Sequence, residues 1–247
     1  MAQETSAAFR IGSVMERSFA IFRRNFIAFS LIALVLIGPY ILLKVLIATG
    51  DIGIDMRLTN FVILLLYLML SSLATAAIVY GTFQDMRGQR AGIGDCLSLG
   101  LRLVFPVLGV AILASLAIGV GIIFLLVPGF FIMTMLWVAL PAAVVERLRV
   151  TEAMNRSAAL TKGNRWPVFG IIAILTLINI ILSLFVSVPL LMTKEPTISA
   201  FIWNAGLTGL VDVPLTAFSS VVATVTYHDL RSAKEGIGIA EIARVFD

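Results

Sequence analysis

Long apolar runs that hold almost no charge dominate this chain of 247 residues and limit what it can fold into. Only a helix of about 20 apolar residues, or a closed barrel, satisfies its backbone inside a bilayer. The runs are continuous and do not alternate with polar residues, which indicates helices. Charged residues make up 13% of the chain, whereas a soluble domain holds about 25%. The sequence therefore predicts an all-α, polytopic membrane helical bundle.

Six runs are long enough to cross the bilayer. We place the spans at 26–47, 61–83, 103–127, 130–145, 168–191 and about 208–227. The dipeptide Pro128-Gly129 between the third and fourth runs is typical of a tight turn. These two spans should therefore form a helical hairpin with almost no connecting loop.

The basic residues fall between the apolar runs. Lys44, Arg57 and Lys194 are the exceptions among the 18 Lys and Arg residues. The others form four clusters: Arg10, Arg17, Arg23 and Arg24; Arg87, Arg90 and Arg102; Arg147, Arg149, Arg156, Lys162 and Arg165; Arg231, Lys234 and Arg244. Cytoplasmic loops of membrane proteins retain such residues, so we expect both termini in the cytoplasm. The net charge of +4 then reflects this bias and attraction to membrane lipids, and we expect no nucleic acid partner.

Short amphipathic segments precede the spans. Residues 11–18 align with residues 150–157, and a fainter copy begins at residue 93. Residues 1–247 thus form one membrane domain, either with three repeats of an amphipathic interfacial helix plus a hairpin (11–84, 93–146 and 150–228) or with chance similarity. Ser13 with Glu16 predicts a capping box, and Thr151 predicts the N-cap of the later helix.

Charged residues around residues 146–166 predict a folded element rather than a loose loop. Glu146 begins this segment, and Glu152 and Arg156 are spaced to pair on the wet face of one helix. Asp229 and Arg231 form the polar exit of span six. The aromatic residues Trp166 and Tyr227 are predicted to anchor span ends at the membrane interface.

Asp212 is the most unusual polar residue because it lies inside span six. An intramembrane carboxylate is a functional candidate by default. If the span begins near residue 208, however, Asp212 lies within about one turn of the outer surface. Lys44, late in span one, can then reach it. We expect a structural role for Asp212, and a transport or proton-relay role is the alternative.

Residues that commonly support catalysis or metal binding are scarce. The chain has one cysteine, Cys96, and one histidine, His228, so it lacks a cysteine-rich or histidine-based metal site. It has no nucleophile-elbow, zinc-protease or phosphate-loop motif. We therefore expect no catalytic residue, no cofactor and no metal.

Several short motifs resemble a known family. They are 141–146 (PAAVVE), Glu152-Ala153, Arg156-Ser157, 160–163 (LTKG), Trp166, 126–129 (LVPG) and 227–231 (YHDLR) followed by Glu235-Gly236. The chain resembles the membrane domain fused to some bacterial glycerophosphoryl diester phosphodiesterases, and it is similar to YciC-like bacterial integral membrane proteins. The resemblance implies a multi-pass protein of the bacterial inner membrane. It does not imply phosphodiesterase activity, because that chemistry belongs to a separate soluble barrel.

Two functional hypotheses follow. The first is a non-enzymatic integral membrane protein that acts as a lipid-embedded scaffold or modulator of an envelope process. The alternative is a transporter or channel subunit, which the polar, proline-containing sixth span favours. The shortage of charges at the bilayer midplane weighs against the alternative.

Overall fold

The computed structural model describes residues 9–49, 56–89, 91–124, 126–191 and 198–235, which form helices and short connections. The helices are α1 (Ile11–Arg24), α2 (Phe26–Thr49), α3 (Met56–Met86), α4 (Ile93–Arg102), α5 (Val104–Phe124), α6 (Leu126–Leu136), α7 (Ala139–Val145), α8 (Val150–Thr161), α9 (Arg165–Leu191) and α10 (Ile198–Glu235).

Six helical segments are long and apolar enough to cross a membrane. They are Phe26–Ile47, Arg57–Met86, Val104–Phe124, Val127–Val145, Arg165–Val188 and Gly206–Glu235. The predicted all-α, polytopic bundle is thereby confirmed. Much of the predicted connection 48–60, and residues 192–197 of the last connection with Lys194, lie outside the described residues.

The order of a short helix followed by two long apolar segments recurs three times along the chain. The short helices are α1, α4 and α8, and each precedes a pair of long segments. α10 packs against α1, α2, α3 and α9. Val14 of α1, Ile32 of α2, Ala77 of α3 and Val221 of α10 share one buried cluster. A true sequence repeat stays a prediction.

The turn between spans three and four differs from the prediction. α6 begins at Leu126 and includes Pro128 and Gly129, so this dipeptide is not the turn. Proline is tolerated in the first turn of a helix because the backbone N–H that it lacks has no partner there. Gly129 instead allows α6 to approach α5: an added Cβ would lie 2.8 Å from the backbone nitrogen of Ile122.

Span four is broken near its middle. α6 ends at Leu136 and α7 begins at Ala139, with a turn at Trp137 and Val138. Pro141 explains the break, because its ring clashes with the carbonyl four residues earlier and cannot donate to it. The Met135 carbonyl beside this break accepts hydrogen bonds from side chains of α8.

The sixth long helix extends at both ends beyond the predicted span of about 208–227. α10 runs from Ile198 to Glu235, and its membrane-spanning segment begins at Gly206. Pro214 therefore lies inside α10. The added turns after Tyr227 contain Asp229, Arg231, Lys234 and Glu235. These turns form part of the candidate site.

Two predicted helix starts are wrong by two or three residues. α1 begins at Ile11, and the Ser13 hydroxyl donates to the carbonyl of Arg10 at 2.8 Å instead of capping the helix. α8 begins at Val150, and the Arg149 backbone N–H donates to the Glu152 carboxylate at 3.0 Å. Glu152 is thus a capping residue, and its predicted pairing with Arg156 does not occur among the described ion pairs.

Candidate functional site: an ionic network joining α7, α8 and α10

α8 is fixed to the break in span four by two hydroxyl groups. Ser157 donates to the Met135 carbonyl at 2.7 Å, and Thr161 lies 3.4 Å from the same oxygen. Both residues are fully buried, and so are Ala153 and Leu160 on the same helix. A buried carbonyl needs a donor, so the broken helix and α8 satisfy each other. The predicted folded element at 146–166 is therefore confirmed as a docked helix.

The last turns of α10 present a stripe of polar groups. Tyr227, Arg231 and Glu235 follow one another at intervals of four residues, which places them on one face of the helix. The Arg231 Nε donates to Glu235 at 2.9 Å, and its Nη1 donates to the Tyr227 hydroxyl at 3.0 Å. Tyr227 has no exposed surface, so its prediction as an interfacial anchor is wrong.

Glu146, at the end of α7, meets this stripe together with Arg156 of α8. The Arg156 Nε lies 2.9 and 3.0 Å from the two Glu146 oxygens, and its Nη2 lies 2.5 Å from Glu235. The Tyr227 hydroxyl donates to Glu146 at 2.6 Å, and Arg231 lies 3.4 Å from the same oxygen. We call these five residues, Glu146, Arg156, Tyr227, Arg231 and Glu235, the ionic network.

The ionic network is electrically balanced and only partly exposed to solvent. It contains two arginines and two glutamates, and the four side chains are 12–24% exposed. Burial lowers the pKa of Arg156, but its hydrogen bonds and charge pairing with Glu146 and Glu235 outweigh this and leave the pKa raised. Arg156 therefore stays cationic. Arg147, which follows Glu146, adopts a left-handed φ of 52°, a conformation that costs a non-glycine residue about 1–2 kcal/mol.

A second polar cluster lies beside the ionic network on α10. Arg17 of α1 lies 2.5 Å from an Asp229 oxygen, which also lies 3.1 Å from Nδ1 of His228. These residues line a cavity of about 330 Å³ between α1 and α10. Asp229, a predicted candidate, thus joins α1 to α10.

A third group of ionic contacts joins the first three helices. The Arg24 guanidinium at the end of α1 contacts both oxygens of Asp85 on α3. Asn25, between α1 and α2, donates to Asp85 at 2.9 Å and to the Ile21 carbonyl at 3.1 Å. Asp85 therefore holds the kink between α1 and α2 against α3.

Asp212 and Lys44 lie far from the ionic network. Asp212 precedes Tyr227 by 15 residues of α10, or about 22 Å along the helix. It interacts electrostatically with Lys44, Tyr40 and Tyr67, and the two tyrosine rings lie 4.9 Å apart. Among the ion pairs of the described residues, none joins Lys44 directly to Asp212.

The structure brings together only part of the predicted set. Glu146, Arg156 and Arg231 meet in the ionic network, Asp229 lies beside it, and Glu152 caps α8. Sequence reasoning missed the roles of Tyr227 and Glu235. Their four-residue spacing from Arg231 could have indicated that the three residues share one helix face. The sequence does not show, however, which other helices pack against that face.

No group of three or more His, Cys, Asp or Glu residues that could hold a metal ion occurs in the described part of the chain.

No protein-family model, curated protein or solved structure matches the chain. Six long apolar helical segments nevertheless define its class: it is an integral, multi-pass membrane protein. Such a protein contacts membrane lipids.

Proposed function

We propose that this chain is a non-enzymatic integral membrane protein that acts as a lipid-embedded scaffold or modulator of an envelope process. We place it in a bacterial inner membrane with both termini in the cytoplasm. The distribution of basic residues supports the orientation, because Arg17, Arg24, Arg156 and Arg231 all lie at the end of the bundle that holds the ionic network. The motif resemblance supports the bacterial assignment.

The ionic network is the observation that carries this proposal. Glu146, Glu235 and Tyr227 are groups that could act as acids or bases, but each already pairs with an arginine or with another member. Their chemistry is therefore used to hold α7, α8 and α10 together. Helices held in this way give the cytoplasmic face one arrangement, which suits a surface that other molecules recognise.

Reporter fusions test the proposed orientation. Fusions after Gly88, in the connection from α3 to α4, and after Val150, at the start of α8, should both report the cytoplasm. A fusion near Asp51, which lies outside the described residues, should report the periplasm. A periplasmic signal after Val150 would overturn the orientation and with it the assignment of the cytoplasmic face.

Crosslinking in intact membranes tests the scaffold role. A defined protein should crosslink to the wild-type chain. Arg156→Ala should reduce the crosslinked yield at least threefold, because a loss of 1 kcal/mol in binding free energy lowers the binding constant by about a factor of five. Arg23→Ala, which removes an exposed charge on α1, should leave it unchanged. Substrate turnover by the purified wild-type protein, abolished by Glu146→Gln, would instead show an enzyme.

The alternative, a transporter or channel subunit, is favoured by one observation. Asp212 is a partly buried carboxylate within span six, close to Tyr40 and Tyr67 and two residues before Pro214. Hydroxyl groups deeper in α10 weigh against a polar path, because Ser220 and Thr224 each donate to their own helix at 2.7 Å. Proton flux into proteoliposomes, abolished by Asp212→Asn, would favour the transporter. No flux above protein-free liposomes is expected for a scaffold.

A further inference from the structure

A groove between α6 and α9 combines an aromatic surface with a cation. Its cavity of about 520 Å³ is lined by Phe130, Phe131, Phe169, Trp166 and Arg165, among others. Phe169 makes edge-to-face contacts with Phe130 at 5.9 Å and with Trp166 at 6.1 Å. Such a lining favours hydrocarbon over water.

Arg165 gives the groove its polar specificity. Its guanidinium lies 4.2 Å from the centre of the Phe131 ring, which holds the side chain in place. Its Nε is buried and has no hydrogen-bond partner among the described residues. A buried, charged donor without an acceptor is costly. Because Arg165 lines the groove, an anion bound there would compensate its charge.

The surrounding charges favour an anion as well. Arg156 is neutralised by Glu146 and Glu235, so it adds little net charge. Lys234 interacts electrostatically with Lys162 and Arg165, and it also contacts the Ala159 carbonyl of α8. In the described part of the chain, Lys162, Arg165 and Lys234 have no carboxylate partner within ion-pair distance. Lys162 and Lys234 therefore add uncompensated positive charge around Arg165, which lines the groove.

Trp166 indicates the depth of this groove in the membrane. It is 83% exposed although it is one of the largest apolar side chains, and it lies next to Arg165 at the start of α9. Tryptophan with neighbouring arginine or lysine is typical of the boundary between headgroups and acyl chains. A ligand here would meet headgroup chemistry at one end and hydrocarbon at the other.

We propose that this groove binds an anionic phospholipid, with the lipid phosphate on Arg165 and an acyl chain along Phe130, Phe131 and Phe169. Charge complementarity identifies the headgroup, and the aromatic lining identifies the chain. Arginine is well suited to a phosphate because several of its N–H groups can donate at once. The site goes beyond the proposed function, because it would serve a scaffold and a transporter alike.

Native mass spectrometry of the full-length protein released from mixed nanodiscs tests the site. Phosphatidylglycerol and phosphatidylcholine supply equal acyl chains with an anionic and a zwitterionic headgroup. Wild-type protein should retain phosphatidylglycerol preferentially, and Arg165→Gln should lower this preference about tenfold, as the loss of one charge-assisted hydrogen bond implies. Arg23→Gln, at an exposed position on α1, should behave like wild type. An equal loss of phosphatidylglycerol preference in Arg165→Gln and Arg23→Gln would overturn the proposal, because it would show that general surface charge sets the preference.

A second variant and a soluble competitor keep the proposal testable if Arg165→Gln does not fold. Lys162 is exposed next to the groove, so Lys162→Gln should weaken the preference by a smaller factor of about three. If Arg165→Gln does not fold, an unchanged preference in Lys162→Gln would overturn the proposal. Glycerol 3-phosphate should not displace the lipid, because it lacks the acyl chain. Displacement at millimolar concentrations would identify a phosphate site and overturn the phospholipid assignment.

Discussion

Arg156 offers the clearest test of the ionic network, because it pairs with both glutamates at once. Replacing it with alanine removes a two-point contact with Glu146 and a contact of 2.5 Å with Glu235. The side chains of Arg156, Glu146 and Glu235 are 24%, 15% and 23% exposed. Breaking a fully buried pair costs about 3–5 kcal/mol, whereas an exposed pair contributes about 0–1 kcal/mol. We expect an intermediate loss of about 2–3 kcal/mol.

Thermal unfolding in detergent measures this loss. For a chain of this size 1 kcal/mol shifts the midpoint by about 2–4 °C, so Arg156→Ala should lower it by about 4–12 °C. Cys96 is the only cysteine and is 1% exposed. A thiol-reactive fluorophore therefore reports unfolding without an added probe. Each variant must be heated at the same rate, because unfolding of membrane proteins is often irreversible.

Two comparison variants decide whether loss of the ionic network causes the drop in the unfolding midpoint. Arg23→Ala removes an exposed arginine from α1 and should shift the midpoint by less than about 2 °C. Arg156→Lys keeps the charge but loses the two-point contact, so its midpoint should fall between wild type and Arg156→Ala. Equal midpoints for Arg156→Ala and Arg23→Ala would contradict a stabilising role of the ionic network and show that its charges are solvated.

Four further predictions concern packing and the buried thiol. Burial raises the pKa of Cys96 to about 11, so at pH 7 a maleimide should label native protein about tenfold more slowly than a variant with the thiol at exposed position 98. The unfolded thiol ionises near pH 9 while the native thiol stays protonated, so the free energy of unfolding should fall as the pH rises from 9 towards 11. Gly129→Ala should destabilise the protein by about 1–3 kcal/mol because its Cβ would meet the Ile122 backbone. Gly119→Ala is the control, because a Cβ at this position meets nothing within 4 Å. Equal unfolding midpoints for the two variants would contradict the close approach of α5 and α6. Ser157→Ala should lower the free energy of unfolding by about 1 kcal/mol, because it removes the hydrogen-bond donor to the Met135 carbonyl. Ser98→Ala, at an exposed site, should have a smaller effect. The reverse order in thermal unfolding would argue against docking of α8.

Composition and periodicity were sufficient to predict the six apolar helices and the short helices before them. A bilayer accepts only segments that satisfy their own backbone, so the length of an apolar run decides whether it can span. The predicted first span, 26–47, agrees with the observed segment Phe26–Ile47. Polar helix ends such as the last two turns of α10 were less predictable, because i,i+4 pairing extends a helix beyond its apolar run.

Predictions from local motifs were wrong where tertiary contacts compete with those motifs. Pro128-Gly129 is a turn motif, but proline fits the first turn of α6, and glycine at this point lets two helices approach. Glu152 and Arg156 have the spacing of a helical pair, yet Arg156 pairs with Glu146 and Glu235. A pair that is partly shielded from solvent is stronger than an exposed pair along the helix surface.

Apolar run lengths were enough to predict insertion in a membrane as a helical bundle, and Glu146, Arg156 and Arg231 could be recognised as polar residues of interest. That these residues meet each other, Tyr227 and Glu235 follows from the packing of the helices. Such contacts join positions far apart along the chain: Glu146 and Tyr227 are separated by 81 residues. Hydrophobic periodicity is read within a single helix, whereas the choice of ionic partners depends on which helices pack together.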